Sequence, residues 1–292
     1  MIELPETYVL ASQIDKTLVG KTIQSVVANA HPHSFAWFSG DPATYNAMLE
    51  GQRVTSANPG TGYTCGGNTE ILCGDFIMVI STPIKYHAAG ARLPKSHQLL
   101  IKFDDESHMS CTVQMWGTML CAPVTDIKNE GHFSNSQDAE ASSLQSKRPA
   151  HLPNPLTKDF DEAYFDTLWN KAKPSLSAKA FLATEQRIPG LGNGVLQDIL
   201  FNARIHPKRK LDSMGDGDRE AMFNSVKATL AAMRDGGGRD TERDLFNRIG
   251  GYKTLLSKNT LHSPCPVCGG GFTRQAFLGG NIYFCGGCQV VG

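Results

Sequence analysis

Cys265-Pro-Val-Cys268 and Cys285-Gly-Gly-Cys288 form two CxxC knuckles with sixteen residues between them, and nothing else in the chain restricts its fold as tightly. Each knuckle sets two sulfurs on one tight turn. The segment between them reads as a short hairpin that brings the knuckles together. The spacing therefore predicts tetrahedral coordination of one structural Zn2+ by Cys265, Cys268, Cys285 and Cys288. Four buried thiols that bind nothing are the plain alternative. A redox CxxC fits less well, because such a motif does not need to be doubled.

Upstream, residues 188–207 read IPGLGNGVLQDILFNARIHP, a turn followed by an amphipathic helix. Leu196, Ile199, Leu200 and Ala203 recur at helical spacing, and Pro207 lies just past the end. The stretch Leu176 to Gln186 is rich in Ala, Leu and Lys and reads as a partner helix. Between the two, Gly190 and Gly192 let the backbone turn, and Asn193 stands where an N-cap belongs. A turn of this kind aims backbone N–H groups and a positive dipole end outward, which suits a phosphate.

The rest of the chain divides by pattern. Residues 1–130 alternate short apolar runs, such as Phe76 to Ile80 and Gln98 to Phe103, with Gly, Pro, Asn and Asp clusters, which predicts strands and turns after an opening helix from Tyr8 to Leu18. Residues 131–157 read as a linker. Residues 158–258 carry helical patterns at Asp161 to Lys171, with Phe165, Leu168 and Trp169 on one face, and at Asp218 to Arg234, and residues 259–292 hold the knuckles. With 292 residues and 40% hydrophobic content, two domains plus a small metal module are expected. No apolar run reaches the length of a membrane span, and the opening Met-Ile-Glu-Leu-Pro is not a signal peptide. Eight cysteines, four of them assigned to metal, suggest a reducing, cytoplasmic compartment, with Cys65, Cys73, Cys111 and Cys121 as ordinary thiols. Net charge is zero, but it is unevenly spread. The first 150 residues hold ten Lys and Arg against fourteen Asp and Glu, and the remainder holds eighteen against fourteen. Arg204, His206, Lys208, Arg209 and Lys210 form a basic cluster, read either as phosphate contacts or as a solvated surface.

Three segments together resemble the formamidopyrimidine-DNA glycosylase and endonuclease VIII family of base-excision repair enzymes. They are the start Met-Ile-Glu-Leu-Pro-Glu, the Gly190-Leu-Gly-Asn-Gly194 turn and the terminal four-cysteine hairpin, in matching order along nearly the whole chain. The resemblance implies an α+β fold, with an N-terminal β-sandwich flanked by helices and then a helix-two-turns-helix domain carrying a β-hairpin zinc finger. It also implies double-stranded DNA, damaged or abasic, as the partner, and in a bacterium association with the nucleoid. A monomer is expected, since no heptad or exposed apolar stripe in the sequence demands a second copy. In the family an N-terminal proline exposed by removal of Met attacks C1′ of the damaged nucleotide, and the adjacent Glu serves as acid and base.

This chain departs from that pattern at its reactive positions. Glu3 and Glu6 match family carboxylates, but the nucleophile position holds Ile2. The aminopeptidase that trims initiator Met favours a small second residue, and retention of Met would move the terminal amine outward by up to roughly 3.5 Å. The hairpin arginine expected by the resemblance falls on Gly280, with Arg274 as a substitute on the other strand, and the first-domain lysine falls near Gly62. The DNA-wedging segment aligns with Thr112 to Gly117, which puts Trp116 at the wedge, with Gln114 and Met115 in place of arginines. Met115 and Trp116 read equally well as strand core. Gly192 and Asn193 match the family's phosphate-binding turn. The leading expectation is a DNA-binding family member whose glycosylase and lyase chemistry is absent or altered. The alternative is an active DNA glycosylase/AP lyase using a primary amine on Ile2 with Glu3. A third reading gives the scaffold a nucleotide, RNA or protein partner.

Overall fold

The structure is a computed structural model that describes residues 2–60, 67–126, 152–184 and 187–291. It divides into two units, Met1–Leu152 with Glu242–Gly250, and Pro153–Thr241 with Gly251–Gly292.

The first unit opens with α1 (Leu4–Leu18), which begins earlier than the periodicity predicts because Pro5 is tolerated in a first turn. Leu4, Leu10, Ile14 and Leu18 fall on one face and are fully buried. A four-stranded antiparallel sheet has the order β1-β7-β8-β6, from Ile23–Ala28, Leu99–Phe103, His108–Cys111 and Ile84–His87. A five-stranded sheet has the order β2-β9-β5-β4-β3, from Ala36–Trp37, Gly117–Pro123, Phe76–Ile80, Asn68–Cys73 and Val54–Gly60. The alternation along β7, with Leu99, Ile101 and Phe103 inward, shows one face of that sheet turned to the core. These side chains meet Ile71, Cys73, Met78, Ile80 and Met119 of the other sheet in one hydrophobic cluster, a two-layer sandwich. Leu245 completes that cluster. Its segment, Glu242–Gly250, packs with the sandwich and not with residues 158–258, where the sequence reading groups it. Gln13 Nε2 donates to Asp244 Oδ2 at 2.9 Å, and the Tyr86 N–H donates to the Leu245 carbonyl at 2.9 Å.

In the second unit α3 (Glu162–Lys171), which follows the short α2 (Tyr45–Leu49) of the first, is capped by Asp161, whose carboxylate accepts the Tyr164 N–H at 2.8 Å. Phe165 is fully buried, with Leu168 and Trp169 beside it. The helix predicted from Leu176 to Gln186 is shorter among the described residues, because Ser177 is held in a bridge to Lys210 and helical backbone starts after it, with a π-helical stretch at Ala180–Thr184. Next come α4 (Asn193–Asn202) and α5 (Asp216–Asp235), followed by the hairpin of β10 (Phe272–Phe277) and β11 (Gly280–Cys285). Its turn residues Leu278 and Gly279 both have positive φ, 47° and 72°, as a two-residue hairpin loop requires. No described helix is long and apolar enough to cross a membrane. Most of the 131–157 segment, together with Gly62 and Cys65, lies outside the described residues.

Candidate nucleic-acid interface and metal centre

The four cysteines converge as their spacing predicts. Their sulfurs all lie within 4.8 Å of one another, with Cys265 to Cys288 at 3.7 Å and Cys268 to Cys285 at 3.4 Å. Metal–sulfur bonds of about 2.3 Å in a tetrahedron put sulfurs about 3.8 Å apart, so this cage fits a four-coordinate ion with no open position. The second knuckle is tied to the helices: the Cys285 N–H donates to Gln289 Oε1 at 3.0 Å, and Gln289 Nε2 donates to the Ile205 carbonyl at 2.9 Å. Phe201, Leu256, Cys265 and Cys285 form a buried cluster beneath it. Elsewhere, burial pushes the Cys73, Cys111 and Cys121 thiols up to about 12, so they stay protonated.

The cage holds the hairpin loop against the turn before α4. Gly192 is extended and its carbonyl accepts the Leu196 N–H at 3.2 Å, so the N-cap is Gly192 and not Asn193 as the sequence suggests. Only Gly190 of the two turn glycines has positive φ. As the first helical residue, Asn193 points across to the hairpin, where its Nδ2 donates to the Asn281 carbonyl at 2.9 Å. Gln197 reinforces the contact, donating from Nε2 to the same carbonyl and accepting the Tyr283 N–H at 2.9 Å. Asn193 Nδ2 carries a second N–H, and its Oδ1 has no partner among the described residues.

Gly280 stands beside this pair. A Cβ at that position would lie 3.6 Å from Asn193 Nδ2 and 3.6 Å from Lys179 Nζ. Lys179 is only 3% exposed, burial lowers its pKa, and its ammonium donates to the Phe277 carbonyl at 2.6 Å. Sequence reasoning missed this lysine because it lies 98 residues from its hairpin partner. Arg274 is not part of the group: it sits on β10 opposite Tyr283, exposed and three residues short of Phe277. The basic cluster also resolves. Arg209 is engaged by Asp218 at 2.7 Å, and His206 is buried with its ring 4.3 Å from that of Phe284, so neither is a surface cation. Arg204 and Lys210 are exposed, and Lys208 Nζ sits 5.3 Å from the Phe277 ring centre.

In the sandwich unit, Ile2 is 6% exposed and its N–H donates to the Ser81 carbonyl at 3.0 Å. The Ser81 N–H donates in turn to the Thr118 carbonyl, also at 3.0 Å. This ladder joins the chain start to the segment that follows Trp116. Glu3 is the N-cap of α1 and Glu6 is buried in its first turn. Residues 112–116 form a loop between β8 and β9 with Met115 72% exposed and Trp116 half-buried, so these two are not strand core. The start of β4 abuts the same region: a Cβ on Gly67 would sit 3.1 Å from the Glu3 carbonyl carbon and would collide with Thr7 Oγ1.

Glu70 is a further residue with no sequence signal. It lies on β4 opposite Asn58 and Val79, is 7% exposed, and its Oε1 has no hydrogen-bond partner among the described residues. Burial pushes its carboxyl up to about 7. A Cβ on Gly60 would collide with both Glu70 Oε1 and Asn68 Oδ1, so the two acceptors converge over a bare backbone.

A strand sandwich with its chain start inside a hydrogen-bond ladder, and a helical unit whose four-cysteine hairpin is pinned to a glycine turn, define a class of two-unit α+β proteins. No family model matches the chain. Curated relatives do: it is 25% identical over 297 residues to the formamidopyrimidine-DNA glycosylase of Enterococcus faecalis, covering 99% of this chain and 97% of that one. The Listeria innocua enzyme of the same name is 23% identical, covering 99% and 100%. Among solved structures, the Lactococcus lactis Fpg in complex with abasic-site DNA superposes with a TM-score of 0.77 at 20% identity, over 98% of this chain and 99% of that chain. MutM (Fpg) of Thermus thermophilus gives 0.75 at 19% identity, over 99% of each. Over nearly its whole length the chain is thus similar in sequence to curated formamidopyrimidine-DNA glycosylases, and it has the fold of the solved Fpg structures.

Proposed function

We propose that this chain binds damaged or abasic duplex DNA as a base-excision-repair protein, with glycosylase and lyase chemistry absent or altered. One contrast carries the reading. The turn is hydrogen-bonded to the hairpin and has a buried ammonium beside it, whereas the nucleophile position is a buried Ile2 whose N–H is committed to Ser81. Lys179 and the second N–H of Asn193 stand where a phosphate would be gripped, and Lys179 supplies the charge that Gly280 lacks. Trp116 supplies the ring that fills the stack when a nucleotide leaves it. The metal held by Cys265, Cys268, Cys285 and Cys288 is Zn2+, in keeping with an all-thiolate tetrahedral cage. It supplies rigidity and no chemistry.

Binding to a duplex with an abasic-site analogue tests this, measured by anisotropy over a range of salt. Affinity is expected to fall with salt, Lys179→Met to weaken it on the order of tenfold with a shallower salt slope, and Asn193→Ala to weaken it similarly. Glu3→Gln should leave affinity unchanged. Binding that ignores both Lys179 and Asn193 would sink the role given to the turn, and preference for RNA or single nucleotides over duplex would favour the third reading.

A further inference from the structure

Phe35 is 55% exposed, the wrong place for a phenylalanine that only stabilises a core. It belongs to a row. The His33 and Phe35 rings are 6.2 Å apart, Phe35 and Trp37 are 6.3 Å apart, and Trp37 and Trp116 are 5.8 Å apart. The backbone fixes this order. β2 pairs in parallel with β9, matching Ala36 to Gly117 and Trp37 to Thr118, and the Phe35 carbonyl accepts the Gly117 N–H at 2.9 Å. Met115, 72% exposed, flanks the row at the Trp116 end.

We infer that His33, Phe35 and Trp37 extend the Trp116 position into a stacking platform for the unpaired bases of a DNA strand beside the bound lesion. This rests on the DNA-binding reading above. The first argument for bases as the occupant is composition: the row is built of flat rings, and a π-face accepts any base without regard to sequence. The second is tilt. Neighbouring rings meet at 55° to 71°, tilted or edge to face and not stacked in parallel, and Phe35 keeps more than half of its surface open to a base. The third is continuity, since the row runs on from the loop that the Thr118–Ser81–Ile2 ladder joins to the chain start. A lesion opened into a short single-stranded bubble would offer several such bases, whereas a fully paired duplex would offer almost none.

The test compares an abasic-site analogue in a fully paired duplex with the same analogue inside a five-base mismatched bubble, for the wild type, Phe35→Ala and Phe35→Tyr. Phe35 is chosen because its exposure lets it be truncated without opening the core. The wild type should prefer the bubble. Phe35→Ala should lose on the order of five- to a hundredfold on the bubble, roughly one stacked base, and less than about twofold on the paired duplex. Phe35→Tyr should keep the preference, because it keeps the ring. Equal binding of both DNAs by the wild type, or an equal effect of Phe35→Ala on both, overturns the platform while leaving the DNA-binding reading standing. If the wild type binds neither DNA, both fall. If Phe35→Ala alters sedimentation and not DNA affinity, the row is a contact between copies of this chain and the inference is wrong.

Discussion

Replacing Glu70 by Gln should stabilise the protein, and increasingly so as pH rises. The carboxyl is 7% exposed, faces Val79, and has one oxygen without a partner among the described residues. Burial pushes its pKa from 4.5 to about 7. Here the folded state holds the proton more tightly than the unfolded chain. Between those two values the folded form therefore binds more protons, and stability falls as pH rises until the folded group has also ionised. The full penalty, at about 1.4 kcal/mol for each tenfold change in proton affinity, is about 3 kcal/mol above neutrality, an upper value because water reaches even buried carboxylates. Glutamine has nearly the same shape and does not titrate. Between about pH 5.5 and about pH 8.5 the advantage of Glu70→Gln over wild type should grow by about 2 kcal/mol, read from urea denaturation followed by far-UV circular dichroism. Any fixed effect of the amide cancels in that difference. A pH-independent advantage, or one that shrinks toward alkaline pH, would refute the assignment of Glu70 as a buried carboxyl with a raised pKa.

Other consequences follow from packing and metal. Cys285→Ser should abolish stoichiometric binding of the proposed zinc, read by native mass spectrometry, and expose the 259–292 segment to protease, because that knuckle is also tied through Gln289 to the Ile205 carbonyl just past α4. Gly67→Ala should cost about 1–3 kcal/mol, since its methyl would press on the backbone of Glu3 and Leu4 in α1. Gly217→Ala, at a helical site with nothing within 4 Å, should instead gain about 0.5–1 kcal/mol. Equal effects at the two glycines in thermal melts would contradict the packing described for the chain start.

What the sequence discloses is what local spacing determines. The metal cage was legible because each CxxC fixes two ligands on one turn, and the sulfurs do converge to within 4.8 Å. The α4 face was legible from Leu196, Ile199 and Leu200, all fully buried. The cap was misplaced by one residue because Asn is a better capping residue than Gly by propensity, while the tertiary contact with Asn281 draws Asn193 across to the hairpin. Lys179 and Glu70 look like ordinary charged residues in the sequence, and only the hairpin and the sheet place them inside. Arg209 and His206 read as surface cations until Asp218 and Phe284 are seen against them. Trp116 was ambiguous because a short apolar run reads alike in a strand and in a loop.

The central claim joins retained DNA binding to lost or altered amine chemistry, and borohydride trapping tests both halves at once. The protein, prepared without a tag, is incubated with abasic-site duplex at a concentration where anisotropy shows it bound, reduced with borohydride, and weighed intact. The account predicts a bound complex, an unshifted protein mass that includes Met1, and no covalent adduct. A Met1-less protein carrying the mass of the DNA would contradict it and make Ile2 the working nucleophile.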